Sequence, residues 1–322
     1  MKRNRTGKVT VLAGGVGAAR LLRGLVELVP ASSLSVIVNT GDDDVFHGLH
    51  VCPDIDTILY TLSGLSDPDR GWGIAGDGFH AMDQLAGYGA ETWFRLGDRD
   101  LATHLFRTEE LRTGKTLSQI TAAQARALGV SVRVLPMTDV PVRTVIEAPQ
   151  GRLSFQEYLV RERGRPAVRA IHYEGVRSAR PAPGVLKAIG EAGLVVIAPS
   201  NPFVSIGPIL AVPGVRSAVR RATAPVVAVS PLIGGRPVKG PADRMMRGLG
   251  MKPSALALAE LYRDLLDALV IDAADRSAIG PLETTGLRVA AVPTLMSTPA
   301  RSIAVARHVL GIGASVRAAL AS

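Results

Sequence analysis

The sequence predicts an α/β fold, a Rossmann-like, doubly wound and mostly parallel sheet with an inserted α+β lobe. Three observations carry this. Short apolar runs recur without polar alternation, as in strands buried on both faces. Helical stretches separate them, the alternation that builds a parallel sheet. The residues just after each run are small, polar or charged, as at the ligand-binding edge of an open sheet.

In order, Val9 to Ala13 is an apolar run, Gly14 to Gly17 a turn, and Ala18 to Leu28 a helix whose Leu21, Leu22, Leu25 and Leu28 share a face. Leu34 to Val38 is a second strand ending in the polar stretch Asn39 to Asp44, and Pro53 and Asp54 introduce a helix over Ile55 to Leu65. From about 71 to 183 the pattern changes. Helical stretches at Asp77 to Gly87 and Ser118 to Leu128 precede β-rich pieces at Ser131 to Leu135, Val142 to Glu147 and Ala167 to His172. No Pro/Gly/Ser linker isolates this segment, so it reads as a lobe of one domain spanning 1–322. Four further strands follow at Leu194 to Ala198, Val226 to Val229, Leu269 to Ile271 and Leu287 to Val292. Helices at Val185 to Glu191, Val215 to Arg221, Ser254 to Leu266 and Arg301 to Leu310 lie between or beside them.

A chain of 322 residues with 47% apolar and 20% charged content can bury a substantial core. The lone Cys52 excludes an internal disulfide, and the opening MKRNRTGKVTVLAGG lacks a leader's apolar run. Runs such as Gly193 to Pro199 are far shorter than the roughly 20 residues that span a bilayer. The expectation is a cytoplasmic protein with no membrane span. The net charge of +9 comes mostly from Arg and suits a phosphorylated ligand, nucleic acid or an anionic surface alike. The basic residues are scattered and only 4% of residues are aromatic, which weighs against nucleic acid.

Most of the groups that could carry chemistry fall at the strand ends. Gly14-Gly15-Val16-Gly17 lets backbone N–H groups approach a phosphate at the start of a helix, or is a tight turn that binds nothing. Arg20 stands where a dinucleotide fingerprint has its third glycine, and no Lys-Ser/Thr completes a Walker loop. Asp42, Asp43, Asp44, Asp54 and Asp56 are hard oxygen donors suited to Mg²⁺, although a solvated turn and a helix cap explain some of them. His47 and His50 have no Cys₂ or third His beside them and read as loop histidines. No G-x-S-x-G elbow offers a nucleophile. Arg95, Asp98, Arg99 and Asp100 in RLGDRD form either an anion clamp or a salt-bridged turn. Ser200, Asn201, Ser205, Ser230, Lys239, Thr294, Ser297 and Thr298 complete the strand-end set.

Together, the segments VTVLAGGVGAARLLRGL, VIVNTGDDD followed by HGL, PDIDTILYTLSG, GWGI, RLGDRDLATHLFRTEELRTGKTLS, LPMTDVPVRT, APSNPFVSIGPIL, AVSPLIGGRPVKGPA and ALVID resemble the 2-phospho-L-lactate transferase family, in family order from about Lys8 to Leu310. The resemblance implies a cytoplasmic, Mg²⁺-dependent transferase of coenzyme F-420 biosynthesis, expected as a homodimer. Its donor would be a phospholactate or phosphoenolpyruvate-derived unit linked to guanosine diphosphate (GDP). Its acceptor would be a ribityl hydroxyl of the deazaflavin Fo (7,8-didemethyl-8-hydroxy-5-deazariboflavin), with release of GMP.

Carried over by position, Asp56 and Arg95 match the family's Fo-binding and catalytic positions. Gly14, Gly15, Gly17, Ser200 and Asn201 match its nucleotide-phosphate region, and Asp43 and Asp54 are the metal-ligand candidates. Ala18-Ala19-Arg20 departs from the small residues, Pro and Lys found there in some members. An Asp56→Asn variant is expected to lose turnover and keep its fold. The competing readings are another nucleotide-dependent transferase and a non-catalytic nucleotide-binding regulator.

Overall fold

The computed structural model describes residues 7–320; the opening residues 1–6, part of the basic start considered above, lie outside it. Strand β1 (Val9–Ala13) is buried throughout, and its one polar side chain, Thr10, donates to the Ala188 carbonyl at 2.7 Å. Gly15, at φ +71°, turns the chain into α1 (Gly15–Leu25), which lays Ala18, Ala19, Leu21, Leu22 and Leu25 inward. After β2 (Leu34–Val38) comes a hairpin of β3 (Asp44–Phe46) and β4 (Leu49–Val51). Helix α2 (Pro53–Leu62) then starts on its proline, whose missing N–H is no loss there. Three helices follow: α3 (His80–Gly87), α4 (Asp100–Arg112) and α5 (Leu117–Ala127), the last opened by a Thr116/Gln119 capping box.

Strand β5 (Arg133–Pro136) precedes an antiparallel sheet of β6 (Arg143–Ala148), β7 (Gly151–Ser154) and β8 (Ala170–Glu174), with β6 in the middle. Then come α6 (Val185–Gly190), β9 (Leu194–Ile197), a widened turn of helix over Pro202–Ile206, α7 (Gly207–Ala211), α8 (Val215–Arg220) and β10 (Val226–Val229). A short hairpin, β11 (Leu232–Ile233) and β12 (Arg236–Pro237), leads to α9 (Ala242–Gly248) and α10 (Ala255–Leu261). The chain closes with β13 (Ala268–Asp272), α11 (Ile279–Glu283), β14 (Arg288–Val292) and α12 (Pro299–Leu320).

The main sheet runs β14-β13-β10-β9-β1-β2-β5, and every pairing in it is parallel. The chain winds outward from β1 to β5, returns to β9 beside β1, and winds outward again to β14, the doubly wound order with its reversal between β1 and β9. Alternate residues feed two cores. Val9, Val11 and Ala13 pack towards α1, α2 and α12, while Leu12, Val195 and Ile197 pack towards α6, α8 and α10.

The α/β expectation holds, and the detail of the middle segment differs. Ser131 to Leu135, assigned by sequence to the lobe, falls largely in β5, which pairs with β2 and is an edge strand of the main sheet. The stretch 71–183 is therefore two pieces, a helical crossover before β5 and the small antiparallel sheet after it. Helix α4 has no counterpart in the sequence-based assignment, because its hydrophobic side is interrupted by His104 and Arg107, both buried. Helix α10 stops at Leu261, short of Leu266, and Leu265 and Leu266 enter the core from a turn before β13. By length and composition α12 could cross a membrane, with a mean hydropathy of 1.4. It lies along α1 instead, burying Val305, Ala306, Val309, Leu310 and Val316, with Gly24 pressed on the Ser302 carbonyl.

Candidate active site

A cleft of about 540 Å³ opens at the carboxyl ends of the strands, over the point where the strand order reverses. Gly14, Gly15 and Gly17 line one side, and Pro199, Ser200 and Asn201 the other. The two strand ends are tied: Ser200 Oγ donates to the Gly14 carbonyl at 2.7 Å. A side chain at Gly17 would put its Cβ 2.2 Å from the Pro199 carbonyl, so this glycine permits the contact between α1 and the β9 loop. Asn201 caps the Pro202–Ile206 turn, its Oδ1 accepting from Phe203 N at 2.9 Å.

The first turn of α1 already holds an anion. Gly15 N donates to Asp54 Oδ1 at 2.7 Å, and Asn39 Nδ2 donates to Asp54 Oδ2 and to Asp42 Oδ1, each at 2.9 Å. Among the described residues no Lys or Arg is bonded to either carboxylate. Burial first, and then the Asp54 and Asp43 charges, push Asp42 well above the usual carboxylate range. Burial likewise pushes Asp54 up to about 7, and the hydrogen bonds from Asn39 and Gly15 restrain the rise. Two buried carboxyls joined through one amide, with no cation to balance them, are a donor set that fits Mg²⁺. Of the two sequence candidates Asp54 belongs to this pair. Asp43 lies 3.7 Å from His50 and close to Cys52, a trio of possible metal donors in which Asp43 Oδ1 is buried without a partner, and its charge is felt at Asp54 and Asp42; the carboxyl joined to Asp54 through Asn39 is Asp42.

Asp56 lies deeper. Arg107 binds both of its oxygens, Nη1 at 3.1 Å from Oδ2 and Nη2 in close contact with Oδ1. The guanidinium is fully buried; burial opposes its charge most, but Asp56, with Cys52 and Asp43 behind it, outweighs that and raises its pKa. Arg107 also lies 3.3 Å from His104 Nδ1. Since Arg stays protonated, that nitrogen accepts and the ring proton sits on Nε2, which faces Asp100 Oδ1 at 3.3 Å. Tyr60 donates to the same Asp100 oxygen at 2.5 Å. Burial works to raise Asp100, but His104 and Tyr60 overcome it and hold its carboxyl below the usual range. Asp56, Tyr60, Asp100 and His104 all border the cleft. Sequence reasoning missed Tyr60, His104 and Arg107; the one available signal for the last two was their i, i+3 spacing in a stretch too polar for a core helix.

Arg95 is half exposed, donates to Asp83 at 2.7 Å and lies over the Phe79 ring at 4.6 Å, with its side chain on the cleft. Of the rest of RLGDRD, Leu96 and Asp100 border the cleft, while Asp98 and Arg99 are structural. Asp98 caps α3 through His80 N and Ala81 N, and Asp77 accepts from Arg99 N and Asp100 N. Trp72, Phe94, Leu96, Phe155, Leu159 and Val160 give the cleft an apolar lining. Ser205, Ser230, Lys239 and Thr294 reach the cleft from other strand ends. Ser297 and Thr298 do not; Thr298 caps α12.

The sequence profile of the family "2-phospho-L-lactate transferase CofD" matches residues 9–286. Curated relatives named phosphoenolpyruvate transferase include one from Streptomyces griseus subsp. griseus, 44% identical over 97% of this chain and all of its own length. Others come from Thermobifida fusca, 46% identical over 93% of this chain and 95% of its own, and Mycolicibacterium smegmatis, 41% identical over 93% and 97%. Among solved structures, a member of the UPF0052 family from Bacillus halodurans superposes with a TM-score of 0.61 at 16% identity, covering 94% of this chain and 99% of that one, a likeness of fold.

Proposed function

The chain belongs to the 2-phospho-L-lactate transferase CofD family and is a transferase, and from that premise we propose that it moves a phosphorylated three-carbon acid from a GDP-linked donor to the ribityl hydroxyl of Fo in coenzyme F-420 biosynthesis. The names of the relatives favour the phosphoenolpyruvyl donor over the phospholactyl one. The observation that carries the reading is the cleft itself, lined by a glycine turn and a buried acid pair together with apolar and aromatic side chains and Arg95. The first set suits a metal-bound diphosphate and the second a tricyclic ring.

In this reaction the acceptor oxygen attacks the phosphorus that carries the three-carbon acid. The new O–P bond forms as the P–O bond to the nucleotide phosphate breaks, the electron pair leaves on GMP, and the hydroxyl proton passes to solvent. Such a transfer needs placement and charge neutralisation more than a nucleophile of the protein's own. We assign Asp42 and Asp54 to Mg²⁺, which when bound supplies neutralisation of donor phosphate charge. Asp56, with both oxygens engaged by Arg107, accepts from and orients the acceptor hydroxyl through its remaining lone pairs. Arg95 steadies the acceptor. A homodimer and a reducing, cytoplasmic setting, which suits the single buried Cys52, belong to the same proposal.

The test is a turnover assay with Fo, Mg²⁺ and each donor in parallel, following GMP release and product mass. Product from either donor supports the transfer and names the acid. No product from both, with GDP still bound, overturns it in favour of a nucleotide-binding regulator.

A further inference from the structure

Two cations at the cleft have no part in the account so far. Arg20 projects from α1, and Lys239 stands in the loop between β12 and α9; both border the cavity. Among the described residues Arg20 has no hydrogen bond or ion pair, and Lys239 has one hydrogen bond, its Nζ donating to the Arg70 carbonyl, in a segment that also packs on Val16 of α1. The acid nearest in influence, Asp67, is already held by Arg70 at 2.8 Å. Burial and repulsion from Arg20 together hold the Lys239 ammonium below its usual range, so the two charges feel each other with no anion to balance them. Like charges brought together at a cavity mouth attract a ligand of opposite sign.

We propose that Arg20 and Lys239 form a two-sided clamp on the phosphate chain of a nucleoside-diphosphate-linked donor, with Lys239 exchanging the Arg70 carbonyl for a phosphate oxygen. The identity of the donor rests on the transferase reading above; the clamp itself rests on the paired, unbalanced cations. The two play different parts. Arg20 offers a rigid planar fork, whereas Lys239 is a point charge on a flexible stem that can move between partners. The position that denies the chain a dinucleotide fingerprint thus supplies a charge in place of a close helix approach. As the nucleotide leaves, the charge gathering on its phosphate is met by the same pair.

The test uses the full chain and the variants Arg20→Met, Lys239→Met and Lys239→Arg, titrated calorimetrically with inorganic diphosphate, GDP and guanosine. Each Met variant is expected to lose about tenfold in affinity for diphosphate and for GDP, with guanosine binding unchanged and most of the loss recovered in Lys239→Arg. The clamp is overturned if either Met variant binds both phosphate ligands within twofold of wild type, or if the wild-type protein binds neither. Wild-type binding of diphosphate but not GDP, with the tenfold losses intact, keeps the clamp and rejects the guanosine donor instead.

Discussion

Asp56 and Arg107 meet where water scarcely reaches, and this changes what substitution at either does. Removing one partner of a buried pair leaves the other charge uncompensated, so Arg107→Met should cost about 3–5 kcal/mol in denaturant unfolding. Asp56→Asn is expected to share part of that penalty, which sets this structural prediction against the sequence-based expectation of an intact fold; denaturant unfolding of the variant decides between them. A midpoint for Arg107→Met within experimental error of wild type would remove the pair from the account. Arg95 is the opposite case, half exposed and paired with an exposed Asp83. Arg95→Ala should leave the melting temperature nearly unchanged while raising KM for Fo several-fold; an unaltered KM would take Arg95 out of the acceptor site. At Asp54 the folded pKa of about 7 lies above the roughly 3.9 of an unfolded Asp. Its contribution to stability is therefore present below about pH 4 and lost as pH rises to 7 and beyond. Mg²⁺ binds the ionised form, so its stabilisation should grow over the same interval, with proton release at pH 6 visible in calorimetry in two buffers of different ionisation heat. Mg²⁺ affinity independent of pH between 5 and 8 would contradict the assignment.

At the scale of elements, the glycine turn joins α1 to the β9 loop as much as it opens the cleft. Gly17→Ala forces a Cβ into the Pro199 carbonyl, and since both are backbone, one element must move. The expected cost is about 3 kcal/mol with weakened donor binding, read by thermal denaturation and by GDP titration; a variant as stable as wild type would mean the contact yields easily. These strands and the first helix were legible because their residues obey one rule each, unbroken apolar runs or a leucine stripe. Helix α4 was not, because the face it buries carries Asp100, His104 and Arg107, with Asp100 bonded to Tyr60 and Arg107 to Asp56, both on α2. Periodicity records burial of apolar groups and is silent about burial of paired charges. The link between Asp42 and Asp54 has a similar cause: of the adjacent aspartates in the turn after β2, only the fold decides which one Asn39 joins to α2.

For the whole molecule, the strand order determines where everything else lies. Both windings of the chain start from adjacent central strands, so the loops after β1 and β9 diverge and leave the cleft between them. That placement could be anticipated from the polar strand ends, whereas the edge position of β5 could not, since a four-residue strand gives too little pattern to choose between two sheets. Helix α12 closes the opposite end of the chain onto α1 through Gly24 and Ser302. Gly24→Ala should therefore lower the melting temperature by several degrees and loosen α12, measured as faster amide exchange along it; unchanged exchange would show that α12 is held elsewhere. The Asp54 carboxylate on the Gly15 amide has one more consequence. Any phosphate seeking that amide must evict a resident that belongs to the protein and is always at full local concentration. Free orthophosphate or sulfate, with nothing else to grip, competes poorly against such a tenant. A ligand that also brings a metal to receive the displaced carboxylate competes well. The vestibule of α1 is thereby insulated from the commonest anions around it and opens only to the ones that arrive with company.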